Sequence, residues 1–308
     1  MSSESLMLAK KALTTHTIPT PYYTAGKAYI ERLIETGVDN DAKLGILIGT
    51  SGVGKTHLCD KIRVMYPDII TDEKTTKPVI YVKLGASAAI GDVLSAIHTT
   101  LLGARSKGNM NKKDRSDHIC ELMQELGTKL IIVDEAQHAM AGVSNEYGKT
   151  GEYINTLKIL IDDGKVPILV SGLEHLKKLR NFPGKNEDFG KQLKRRSHAP
   201  VELKPFGPKG TARVINIYRK QLKELGVICD VLSNDLVKAR IHLCTGGAIG
   251  VIFDLLKSSL RTYKNCVSIS QKSLEEEAEL LFDEEENAFQ FKDNHVKQLI
   301  TKQVGEAV

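Results

Sequence analysis

Leu44-Gly45-Ile46-Leu47-Ile48-Gly49-Thr50-Ser51-Gly52-Val53-Gly54-Lys55-Thr56 is the stretch that decides the fold. Its first five residues carry no charge, the pattern of a strand buried on both faces. They run directly into Gly-x-x-x-x-Gly-Lys-Thr. Glycines let the backbone approach a phosphate closely and turn successive N–H groups inward. A helix beginning at the end of this loop aims its positive dipole end at the same anion. The following residues fit such a helix, with Leu58, Ile62 and Met65 on one apolar face. Gly49, Thr50, Ser51, Gly52, Val53, Gly54, Lys55, Thr56 and His57 are therefore the candidate nucleotide-binding residues. Lys55 supplies a point charge for the β- and γ-phosphates, and the Thr56 hydroxyl is a candidate Mg²⁺ ligand.

Working outward, three more apolar runs read as strands: 78–84 (PVIYVKL), 129–137 (KLIIVDEAQ) and 166–172 (VPILVSG). Helical patterns lie between them at 91–102, 116–126 and 152–163, with Ser116 or Asp117 as the cap of the second. Residues 103–115 read as a polar loop. Strands that are continuous apolar runs and alternate with helices predict an α/β fold, a parallel sheet covered by helices on both faces. Before it, residues 26–36 read as a short helix, and Pro19 and Pro21 predict an extended arm over 1–25. After about residue 203 the strand signal stops. Helices at 208–226, 233–244 and 248–263 predict a small all-helical second domain. The segment 274–289 carries eight acids and no base, and Ser273 with Glu276 forms a possible capping box. The expected division is 1–42 (arm and helix), 43–203 (αβ core), 204–265 (helical domain) and 266–308 (acidic or mixed-charge tail).

Asp134 and Glu135 end the second of these strands, at the edge where open α/β sheets bind ligands. Asp134 is the second candidate Mg²⁺ ligand, and Glu135 the candidate base that polarises an attacking water. A hydrolase needs such a glutamate, whereas a P-loop kinase, the alternative from another class, does not. Ser171, a polar residue closing an apolar strand, is a candidate to orient that water; a loop serine or helix cap is the plainer reading. Arg195 and Arg196 suit an arginine finger that reaches a neighbouring subunit's γ-phosphate, or a solvated or DNA-contacting basic face. Arg105, Lys107, Lys112, Lys113 and Arg115 form one basic cluster against a single acid. Nine Lys or Arg between 191 and 220 form another. Either would neutralise DNA phosphates without reading bases. His138 reads as structural, and Cys59 as core.

The 308 residues suit roughly two domains. Apolar residues make up 41% and charged residues 26%, which excludes disordered and collagenous classes. No apolar stretch is long enough to span a membrane. Five scattered cysteines with no C-x-x-C pair argue against a disulfide framework or zinc ribbon and fit a reducing cytoplasm. A net charge of +5 is compatible with nucleic acid but too weak to argue for it alone.

Across about residues 43–263 the chain resembles the AAA+ ATPases, through the P-loop, Val133-Asp134-Glu135, Ser171, the arginine pair and a helical lid. Ile131-Ile132-Val133-Asp134-Glu135-Ala136-Gln137-His138, followed by a helix and VPILVSGL, resembles more particularly the transposon target-selector ATPases of the TnsC/TniB/MuB type. The DEAQH run is shared with ExeA-type secretion ATPases, and helicase loaders and replication initiators share the core. The resemblance implies hydrolysis of ATP to ADP and phosphate with Mg²⁺. It implies rings or helical filaments of this chain on duplex DNA. It also implies recruitment or activation of a transposase, a target-recognition partner, and disassembly on hydrolysis. One departure stands out: Thr245-Gly246-Gly247-Ala248-Ile249-Gly250 lacks the arginine that commonly follows the glycine pair in AAA+ lids, the nearest being Arg261. Slow turnover, suited to a switch, is expected.

Overall fold

The structure is a computed structural model that describes residues 2–15, 17–86, 88–104, 110–140, 149–180, 192–264 and 266–305. In chain order its first elements are α1 (Ser2–Thr15), α2 (Pro21–Val38), β1 (Leu44–Ile48), α3 (Lys55–Met65), β2 (Ile69–Ile70), β3 (Thr75–Thr76), β4 (Val79–Lys83), α4 (Ile90–Leu102) and α5 (Lys112–Glu125). Then come β5 (Leu130–Asp134), α6 (Lys149–Gly164), β6 (Ile168–Gly172), α7 (Lys177–Arg180), β7 (Val201–Glu202), α8 (Pro208–Glu224), α9 (Asp235–Thr245) and α10 (Ile249–Ser258). The hairpin β8 (Arg261–Tyr263) and β9 (Cys266–Ser268) leads to α11 (Gln271–Leu281) and α12 (Asp293–Gly305). The chain divides into two compact units: Thr20–Thr50 with Lys55–Leu203, and Met1–Pro19 with Ser51–Gly54 and Lys204–Val308. Among the described residues no single helix is long and apolar enough to cross a membrane.

The first unit is the expected parallel α/β layer. Five strands pair in the order β4-β5-β6-β1-β7, every pair parallel. All residues of β1, β5 and β6 are buried, which explains why these strands read as unbroken apolar runs. Removing a fully buried side chain such as Ile131 or Leu44 would cost about 2–5 kcal/mol. The register pairs Ile48 with Gly172, Val133 with Val170 and Lys83 with Asp134. Gly49, Asp134 and Ser171 thereby come to one edge, where each strand hands over to a loop.

The second unit packs α8, α9 and α10 around Ile215, Tyr218, Ile241, Ile252 and Leu255. Ala9 and Leu13 of α1 enter the same core, as do Leu274 and Ala278 of α11, together with Ala288 and Phe289. The segment 266–308 is expected as a tail, yet its residues 267–289 supply core contacts. Two buried groups fasten the segment. Arg240 donates to the carbonyls of Ala288 and Phe291 (2.5 and 2.9 Å) and to the Asp293 carboxylate (2.7 Å). The His242 ring sits 2.9 Å from both the Thr211 hydroxyl and Gln303 Oε1. Burial lowers the pKa of His242 below the usual histidine range, opposed by the Gln303 contact.

Several local expectations are corrected. Pro21 does not continue an extended arm; it occupies the first turn of α2, where its missing N–H costs nothing, and the Thr20 hydroxyl caps that turn by accepting from Tyr23 N–H at 3.0 Å. Residues 2–15 are likewise helical. α5 starts at Lys112 rather than 116, because the Asn111 side chain accepts from Asp114 N–H at 2.9 Å. The helix expected over 248–263 stops at Ser258 and gives way to a hairpin, so the second unit is not all-helical. In α11 the reciprocal cap is made by Ser270 and Ser273, not by Ser273 and Glu276. Met65 of α3 is exposed, while Leu58 and Ile62 are buried.

Candidate functional site

Gly52 and Gly54 adopt φ of +75° and +97°, which L side chains avoid; this lets the loop between β1 and α3 fold back on itself. Lys55, at the start of α3, is only 8% exposed. Its ammonium donates to the carbonyls of Gly49 (2.8 Å) and Thr50 (2.9 Å), so it lies across the mouth of its own loop. Burial pushes its pKa below the usual lysine range, and the carboxylates of Glu135 and Asp134 oppose that shift. His57 is half-buried with its ring centroid 6.4 Å from that of Tyr23, and desolvation lowers its pKa.

Asp134 is fully buried and accepts from three donors: the Thr56 hydroxyl at 2.7 Å, the Tyr81 hydroxyl at 3.0 Å and the Glu135 N–H at 3.0 Å. A carboxylate touching a hydroxyl at a phosphate loop is the donor set that Mg²⁺ takes, one or two protein oxygens with phosphates and waters completing the shell. Burial raises the pKa of the Tyr81 phenol, and Asp134 adds to the rise, so Tyr81 stays a donor. Glu135 sits at φ +55°, a left-handed conformation costing about 1 kcal/mol or more for a residue with a Cβ. Its carboxylate accepts from the Gln137 amide. Ser171 is fully buried and its hydroxyl has no hydrogen-bond partner among the described residues, while burial raises the pKa of the Cys59 thiol. His138 Nδ1 lies 3.1 Å from the Leu84 carbonyl, in keeping with a structural histidine.

The arginine pair separates. Arg196 is half-buried and its Nε donates to Asp162 of α6 at 2.6 Å, whereas Arg195 is exposed. Both lie at the start of β1, since Leu44 N–H donates to the Arg196 carbonyl at 2.7 Å and His198 N–H to the Leu44 carbonyl at 2.9 Å. The phosphate loop leaves the other end of that five-residue strand, about 16 Å away at about 3.3 Å per residue. Neither guanidinium spans that distance to its own loop.

Of the first basic cluster, Arg105 and Lys107 lie outside the described residues. Lys112, Lys113 and Arg115 stand on the first turn of α5, not on a loop. Lys112 is ion-paired to Glu152, Lys113 is exposed, and Arg115 is half-buried. In the second cluster, Lys209, Arg213 and Lys220 are exposed at spacings of four and seven along α8, one face of that helix; Lys191 lies outside the described residues. Arg261 is held by Glu277 at 2.5 Å. Tyr81 and Gln137 were not candidates from the sequence. Tyr81 reads as one more apolar residue of PVIYVKL, and only the register of β4 on β5 brings its hydroxyl to Asp134.

A family model described as "Bacterial TniB protein" matches residues 14–182, more than half of the chain. No curated protein matches. Among solved structures, the chain is similar to Cdc6p from Pyrobaculum aerophilum, at 12% identity over 88% of this chain and 71% of that one, with a TM-score of 0.60. ORC2 of Aeropyrum pernix, solved as ADPNP–ADP complexes, matches at 13% identity over 95% and 71% of the two chains, TM-score 0.57. A Walker-type ATPase of Pyrococcus abyssi matches at 15% identity over 91% and 73%, TM-score 0.52. At such identities these structures speak for the fold alone. Taken with the phosphate loop, the strand order and the family match, the chain belongs to the bacterial TniB family and carries the AAA+ ATPase fold.

Proposed function

We propose that this chain is an ATP-dependent, DNA-binding regulator of transposition, which assembles on target DNA, recruits or activates a transposase, and disassembles when ATP is hydrolysed. The observation that carries the nucleotide half is the buried Asp134 carboxylate bonded to the Thr56 hydroxyl at the phosphate loop. The transposition half rests on the TniB family. Lys55 binds the β- and γ-phosphates. Thr56 and Asp134 are the residues that would hold Mg²⁺, which when bound neutralises charge on the phosphates. Glu135 accepts the proton of the attacking water, and Ser171, whose buried hydroxyl has no partner of its own among the described residues, helps orient that water.

Arg195 is the proposed finger, because it is exposed and too far from its own loop, so it serves a neighbouring copy. Arg195→Ala is expected to cut ATP turnover at least ~10-fold while nucleotide affinity holds. Arg196→Ala, which breaks the pair to Asp162, is expected to change turnover little. Steady-state phosphate release checks both. Mixing Arg195→Ala with Glu135→Gln subunits restores part of the activity if the finger acts in trans and none if it acts in cis.

DNA phosphates are met by basic side chains, with Arg105, Lys107, the Glu152-paired Lys112, Lys113 and Arg115 as the first choice, and the exposed Lys209–Arg213–Lys220 face as the other. The test is duplex-DNA binding with ATP, ADP or no nucleotide across a salt series, with negative-stain imaging. ATP-dependent rings or filaments whose affinity falls steeply with salt are expected. Absent or nucleotide-independent binding overturns the proposal. A replicative helicase rather than a transposase as the captured partner would move the chain to a helicase-loading role.

A further inference from the structure

The phosphate loop, the carboxylates and the arginines leave one buried polar group of this edge without a role. Gln137 is 6% exposed, two residues beyond Glu135 in the short turn that follows β5. Its amide has two ends, and each meets a different strand terminus. The Nε2 end donates to the Glu135 carboxylate. The Oε1 end accepts from the Leu173 N–H at 3.3 Å, immediately after β6. The space for it is provided by Gly172, where an added Cβ would stand 2.0 Å from Gln137 Oε1. A buried amide that satisfies one donor and one acceptor on two separate strands fixes the distance between them. Glu135 also sits on a left-handed backbone, so its carboxylate is held by few local alternatives.

We infer that Gln137 is the positioning residue for Glu135, tying its carboxylate to the Leu173 amide so that the end of β6 and the water-activating group move as one. This rests on the assignment of Glu135 as the base in the proposed function. The amide touches neither phosphate nor water; it sets where Glu135 points. An attacking water must lie within hydrogen-bond reach of that carboxylate, and a displacement of about 1 Å is enough to cost on the order of a hundredfold in rate. Ser171 and Gly172 precede the anchoring amide directly, so whatever shifts the end of β6 is felt at Glu135 through one side chain.

The test uses the full chain with ATP and DNA. Gln137→Met keeps the volume but removes the amide. Gly172→Ala leaves Gln137 in place chemically and pushes its oxygen away from the Leu173 amide. Both are expected to lower kcat by roughly ten- to a hundredfold with KM for ATP unchanged. Because both act through one contact, the double variant is expected to lose no more than the worse single one. Wild-type kcat in Gln137→Met, or multiplicative losses in the double variant, would overturn the inference. So would a rise in KM matching the fall in kcat, since that is the signature of a merely structural defect at the nucleotide site. Glu135→Gln run alongside keeps the two assignments apart. If it turns over like wild type, the base assignment itself is wrong; if it is inactive while Gln137→Met is unaffected, only the positioning role fails.

Discussion

Lys55→Ala yields a protein that neither retains ATP nor assembles on duplex DNA. The ammonium is the one cation of the phosphate loop that is buried, and its two bonds to the Gly49 and Thr50 carbonyls show where its charge is held. Bound nucleotide replaces those neutral acceptors with charged ones. Charge-assisted hydrogen bonds contribute about 1.5–3 kcal/mol each, so losing two of them lowers affinity by about 100-fold or more. The alanine also leaves two loop carbonyls without a donor. Titration with a fluorescent ATP analogue measures the first effect, and electron microscopy of DNA-bound material the second. Normal assembly of Lys55→Ala on DNA would separate DNA binding from nucleotide state and end the switch proposal.

Glu135→Gln has the opposite phenotype: ATP is bound, hydrolysis stalls, and complexes on DNA persist. Glutamine matches the shape of glutamate and still accepts from the Gln137 amide, so the left-handed turn after β5 is kept. What is lost is the basic oxygen. General-base catalysis is worth about 10²–10⁴-fold, and turnover should fall by that amount. Single-turnover phosphate release and the dwell time of the assembly, measured on the same preparation, should change together. Rapid disassembly of this variant would exclude Glu135 as the group that times release.

The contrast between the two variants reflects how differently their residues could be recognised. Gly49–Thr56 and Asp134–Glu135 are legible in sequence because the chemistry imposes local spacing: a loop that must wrap an anion, and acids that must end a buried strand. The parallel sheet is legible for the same reason, since β1, β5 and β6 are unbroken apolar runs. Tyr81 and Gln137 are not legible, because their contacts depend on which strand lies beside which and in what register. The arginine pair shows the same limit. Two adjacent identical residues look interchangeable until Asp162, thirty-four residues earlier, engages one of them. At the ends of the chain the failure has another cause. Pro21 signals an extended segment or a first helical turn equally well, and only the Thr20 cap chooses between them. The acid-rich stretch near 280 conceals Leu274 and Ala278, whose burial follows from long-range packing that charge counting cannot reveal.

The composition of the second unit bears on how the chain is synthesised. α1 leaves the ribosome well before the helices it packs against, which begin at Pro208. Residues 20–203 must be translated in between, which at 5–20 residues per second takes on the order of 10–40 s. During that interval the sheet can form and close its own core, while Ala9 and Leu13 have nothing to cover them. α11, which enters the same core, is translated later still. Nascent chains therefore carry α1 uncovered while the α/β unit is made, a substrate for holding chaperones, and the unit that completes later is the one built from segments on both sides of the other.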